Sequence, residues 1–79
     1  MDKTRELVEY VARSLVSQPD EVKVNRVDKD KLVVLELRVA PDDMGRVIGK
    51  QGRIAKAIRT LVRSATSNSN KKYIVEILD

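Results

Sequence analysis

Three cations and two glycines are interleaved over eight positions: Arg46, Gly49, Lys50, Gly52 and Arg53. The chain has three glycines, and all of them (Gly45, Gly49 and Gly52) lie in the stretch 45–54. Glycine inside a regular element costs stability, because it has the most backbone freedom to lose. Such crowding therefore predicts a backbone that needs unusual angles or close approach by another molecule. A tight turn over 49–52 that opens on a helix N-terminus would present free amides and the positive end of a dipole, which favour anions. Lys50 and Gln51 would form its tip, with Arg46 and Arg53 supplying charge on either side. Val47, Ile48, Ile54 and Ile58 would line an apolar groove beside it, suited to single strands whose bases are splayed out and read on their edges.

The elements that position this turn follow from periodicity. Asp2 or Thr4 caps a first helix, in which Leu7, Val8, Val11, Ala12 and Leu15 share one face. Glu9 and Arg13 make a favourable i,i+4 pair off that face. Pro19 within Ser17-Gln18-Pro19-Asp20 ends the helix, since it lacks the backbone donor that a continuing turn needs. Glu21 to Val27 alternates as a strand, Asp28 to Lys31 is a polar turn, and Leu32 to Ala40 is a β-branched-rich second strand. So short a link predicts an antiparallel hairpin. Val33, Leu35, Leu37 and Val39 form its core face. Leu32 and Val34 lie on the other face, as tolerated surface or as a patch for a partner subunit.

Pro41-Asp42-Asp43 starts a short helix, where proline and acids suit the N-terminus. Met44, Val47 and Ile48 make its apolar face, and a left-handed Gly49 stops it. A second helix runs from Gln51 or Gly52 to about Thr66, with Ile54, Ile58, Leu61, Val62 and Ala65 facing the core and Lys56, Arg59, Thr60 and Arg63 opposite. Ser67 to Asn70 is a loop, and Lys71 to Leu78 is a last strand in which Tyr73 belongs to the core face. The order is helix, strand, strand, helix, helix, strand, read as one domain over residues 1–79.

The 79 residues suffice for one modest core, and with neither Cys nor His the chain has no disulfide and no recognisable metal cluster. Net charge is +4 and the sequence pI about 9.6. Placement matters more than sign: six cations lie between Arg46 and Arg63, and no Asp or Glu occurs from Met44 to Tyr73. Positive charge on one element points to a polyanionic partner. The chain shows no bilayer-spanning run, and its charged N-terminus has no signal-peptide character, so a cytoplasmic protein is expected.

The run Val47-Ile48-Gly49-Lys50-Gln51-Gly52-Arg53-Ile54 resembles the core signature of the KH domain, including its Gly-X-X-Gly loop. The element order resembles the type II (prokaryotic) KH arrangement. The resemblance covers essentially the whole chain and implies an α+β fold: a three-stranded mixed sheet with three helices on one face. It implies single-stranded RNA as ligand, with Arg46, Val47, Ile48, Gly49, Lys50, Gln51, Gly52, Arg53 and Ile54 as site residues and the loop clamping the nucleotide backbone. A KH domain of this length looks like the small bacterial single-KH family of KhpA (YlqC) type. That family is associated with RNA chaperone and post-transcriptional roles, with self-association, and with pairing to a KH protein of Jag or KhpB type.

Other chemistry fits less well. A P-loop needs glycine where Met44 stands and Ser or Thr where Gln51 stands. A Rossmann fingerprint needs a Gly-X-Gly that is absent. Without His or Cys, a catalytic base or nucleophile has few candidates, so no enzyme and no cofactor are expected. The aromatics are Tyr10 and Tyr73 alone, which disfavours base stacking as the main source of affinity. Arg59 and Arg63 on the outer helix face read as solvated surface. Two rivals remain at this level: a protein-interaction module using the helices or the Leu32/Val34 face, and a helix-turn-helix on duplex DNA.

Overall fold

The computed structural model describes residues 3–78, with backbone alone at Lys50 and Gln51. Helix α1 (Thr4–Leu15) leads through a single 3-10 turn (Pro19–Glu21) to strands β1 (Lys23–Asp28) and β2 (Leu32–Arg38). Helix α2 (Pro41–Ala65) then crosses to β3 (Lys72–Leu78). The sheet order is β1-β2-β3, with β2 antiparallel to β1 and parallel to β3. This is the α+β class and mixed sheet expected from the sequence.

Alternation builds the sheet's buried face. Val33, Leu35 and Leu37 of β2 are fully buried, joined by Val24 of β1, Val75 of β3 and Val39 just past β2. Val8 and Ala12 of α1 and Val47, Ala55, Ile58 and Val62 of α2 close the same core, so both helices cover one face. The opposite face carries an apolar row in direct register across the strands: Val27, Val34 and Ile74. Val34, in the middle, is buried between its neighbours, while Ile74 is 39% exposed.

Lys3 takes the cap position of α1 without a side-chain cap bond; Thr4 is the first residue of the helix and is buried, and Asp2 lies outside the described residues. Leu15, expected on the core face, is exposed because the helix ends there. Glu9 meets Arg13 at 3.8 Å and Arg5 at 3.5 Å, partly exposed pairs that contribute little. Tyr73 is half-buried at the core's rim, with the Arg26 guanidinium 5.7 Å from its ring centre.

The glycine stretch differs from expectation in one respect. The helices foreseen on either side of a four-residue turn run together as α2, and Gly52, not Gly49, takes the left-handed conformation, at φ 66°. The break narrows to one residue at an angle that costs a residue with a Cβ about 1–2 kcal/mol. Beyond it, Ala55, Ile58 and Val62 seat the helix on the sheet, Leu61 is half-buried, and Ala65 is exposed in the last turn. Ala55, beside Ile54, is also buried in the core.

Candidate nucleic-acid interface

Three fixed points hold the glycine stretch. Val47, 1% exposed, ties the first half of α2 to the core, and Ala55 and Ile58 tie the second half. The third is Asp43. Its Oδ1 accepts hydrogen bonds from the Ser17 amide (2.9 Å) and the Ser17 hydroxyl (2.8 Å), and its Oδ2 accepts one from the Gln18 amide (3.0 Å). Asp42 takes a longer bond from the Gln18 side-chain amide, at 3.3 Å. The acids at the start of α2 thus reach across to the end of α1 as well as sitting at the dipole's positive end. The Ser17 amide holds the Asp43 carboxyl below its ordinary range; the Ser17 hydroxyl, the Gln18 amide and the charge of Arg46 add to this, against the opposing effect of burial.

Between these anchors the main chain is bare. A Cβ built on Gly45, Gly49 or Gly52 would meet nothing within 4 Å. Internal crowding therefore explains none of the three glycines, and backbone angle explains only Gly52. What Gly45 and Gly49 leave is open main chain on the outer side of the helix. Arg46 and Arg53 are exposed beside it. Ile48, expected on the core face of its helix, is 55% exposed, and Ile54 is half-buried. Of the four residues foreseen as groove lining, Val47 and Ile58 are inside the core, so the reachable apolar surface is that of Ile48 and Ile54. The side chains of Lys50 and Gln51 lie outside the described residues.

The surface continues along α2. A shallow hollow of about 440 Å³ is lined by Arg53, Lys56, Ala57 and Thr60, starting one residue after the left-handed glycine. Sequence reasoning put Lys56 and Thr60 on the solvent face but missed the hollow; its signal is the small Ala57 among longer neighbours. Arg59 and Arg63 go elsewhere, to a cleft of about 350 Å³ between the end of α2 and β3, with Lys71 and Lys72. Among the described residues no cluster of His, Cys, Asp and Glu could hold a metal ion, and no helix is long and apolar enough to cross a membrane.

The sequence model of the family described as "KhpA/KhpB, KH domain" matches residues 5–77. The chain is 58% identical over 74 residues to "RNA-binding protein KhpA" of Clostridium perfringens, covering 94% of this chain and 99% of that protein. The protein of that name from Clostridium acetobutylicum is 55% identical over the same shares. That of Aquifex aeolicus is 43% identical over the full length of both chains. No solved structure shows a significant match. Both the family model and the relatives span nearly all of the sequence, and the chain belongs to the KhpA/KhpB KH-domain family.

Proposed function

We propose that this protein is a non-catalytic binder of single-stranded RNA, acting as an RNA chaperone or post-transcriptional regulator in the bacterial cytoplasm. The observation that carries the reading is the open main chain at Gly49, bordered by exposed Arg46, Ile48 and Arg53 on a stretch without acids. The names of the relatives support it, since they are called RNA-binding proteins. Phosphates approach the backbone around Gly49 and Gly52, with Lys50 and Gln51 between them in sequence and Arg46 and Arg53 adding charge. Ile48 and Ile54 meet the bases, while Val47 holds the platform from below. One such site spans few nucleotides, so a single copy binds weakly and joining two sites raises the apparent affinity. The protein accordingly works as a homodimer or paired with a KH protein of Jag or KhpB type. The apolar row Val27, Val34 and Ile74 on the uncovered sheet face favours such a protein contact.

The test compares wild type with the Lys50→Asp, Gln51→Asp double variant on mixed-sequence single-stranded RNA across a salt series, with circular dichroism to confirm folding. Wild-type binding that weakens with salt and is lost in the folded variant is expected. Equal binding by both would move the RNA site off the loop. A preference for duplex DNA would favour a helix-turn-helix reading instead.

A further inference from the structure

The end of β1 and the loop before β3 meet across the start of β2, through Asp28 and Lys71. Asp28, Val33 and Tyr73 lie side by side in one row of the three strands. Val33 is fully buried, so this row points to the face the helices cover. Two residues back along β1, Arg26 grips the Asp28 carboxylate with two hydrogen bonds, Nε to Oδ2 and Nη2 to Oδ1, both at 3.0 Å. Its guanidinium also lies 5.7 Å from the centre of the Tyr73 ring. Lys71 Nζ reaches the same Oδ1 at 3.5 Å, a longer and weaker contact. One acid thus has a tight partner in the sheet and a loose one in the loop.

The loose partner belongs to the cleft of about 350 Å³ between the end of α2 and β3. Arg59, Arg63, Lys71 and Lys72 line it, and no acid does. Arg59, Arg63 and Lys72 form no ion pair with a described residue. Four cations around one cleft raise the local potential for an anion. Among the described residues, Asp28 is the acid that pairs with this group.

We propose that Asp28 is a built-in competitor for RNA: it occupies Lys71 while the cleft is empty and gives it up to a phosphate of the bound strand. This rests on the RNA-binding reading above and adds to it a residue that lowers affinity. The geometry suits such an exchange. Arg26 keeps its two bonds to Asp28 when Lys71 leaves, so the carboxylate is not left uncompensated. The Lys71 pair is exposed, and exposed pairs are weak. A phosphate offers Lys71 a charge of the same sign as Asp28, and its neutralisation also releases counterions.

Fluorescence anisotropy with a labelled single-stranded RNA at low salt tests this, on wild type, Asp28→Asn, Lys71→Gln, their double variant and Glu6→Gln. Asp28→Asn leaves an oxygen to accept from Arg26 and removes the charge; Asp28→Ser is a second neutral replacement, and thermal melts check that each variant is folded. Asp28→Asn is expected to bind RNA about threefold more tightly, as much as an exposed ion pair holds back. Glu6→Gln makes the same change in net charge at an exposed position of α1 and is expected to shift affinity less. Lys71→Gln is expected to bind more weakly than wild type, and in that background the Asp28 change gains no more than Glu6→Gln does. A neutral Asp28 variant no tighter than Glu6→Gln overturns the competitor role and leaves RNA binding standing. A gain that survives in full without Lys71 overturns it too, by making the effect one of general charge. A wild type without affinity for RNA overturns both this inference and the reading it rests on.

Discussion

Ser17 gives both its backbone amide and its hydroxyl to one oxygen of Asp43, at 2.9 and 2.8 Å, across 26 positions of sequence. The other oxygen takes the Gln18 amide at 3.0 Å. Two consecutive amides that leave α1 without helical partners are satisfied by a side chain from the first turn of α2. The link fixes where α2 starts, and so where the glycine stretch sits relative to the sheet.

Replacing Asp43 with Asn keeps the shape but turns one acceptor into a donor facing the Gln18 amide, so melting temperature falls. The pH dependence follows from the sign of the shift. The native pKa is depressed, so this contribution is complete above the ordinary value of 3.8 and is lost as pH falls through the lower native value. Asp28 is also held below its ordinary value, chiefly by its hydrogen bond from Arg26, so its contribution too is lost in acid. Acid unfolding of wild type against Asp43→Asn separates the two: the variant is less stable at neutral pH, and the difference shrinks in acid. A constant difference down to acid pH would show that the charge of Asp43 contributes nothing.

Gly49 and Gly52 respond oppositely to alanine. At Gly49 the backbone is helical and the new methyl meets nothing, so Gly49→Ala stabilises by up to about 1 kcal/mol. At Gly52 the same change forces a Cβ into the left-handed region and costs about 1–2 kcal/mol. Urea titrations measure both. RNA affinity should nevertheless fall in Gly49→Ala, because the methyl stands where the ligand backbone comes close; full affinity in this more stable variant would put that backbone elsewhere.

Alternation made the sheet legible before any coordinates: Val33, Leu35, Leu37 and Val39 could face only one way. The glycine stretch was legible because three costly residues share one basic run. Which glycine breaks the helix was not, since Gly49 and Gly52 look alike in sequence and differ only in φ. Ile48 was misplaced because it follows Met44 by four residues, a spacing that normally shares a face. Val47 takes the buried position and Ile48 turns outward with it. The partner of Asp43 left no local trace, because an acid at a helix start already has a local explanation in the dipole, and its real partners lie at the end of another element.

That exposure makes Ile48 separable from the fold. Ile48→Ser removes an apolar side chain that is 55% exposed, so stability should change by no more than about 0.5 kcal/mol. Single-stranded RNA affinity should drop severalfold as the bases lose an apolar contact. Fluorescence anisotropy with a labelled oligonucleotide measures the drop, and an unchanged affinity would remove Ile48 from the interface.

Arg53 and Lys56 line one hollow on the outer side of α2, and the salt dependence of binding tells whether RNA lies over it. Each phosphate neutralised on a single strand contributes about −0.7 to the slope of log affinity against log salt. Arg53→Gln and Lys56→Gln should each make the slope shallower by about that amount, and together by about twice as much. Arg13→Gln, on the outer side of α1, provides the control: that cation already faces Glu9 and lies on another element, so its loss should leave the slope alone. If Arg53→Gln alone changes the slope, RNA stops at the loop. If both changes count, the strand follows α2 across the hollow, and the site extends a full helical turn beyond Gly52.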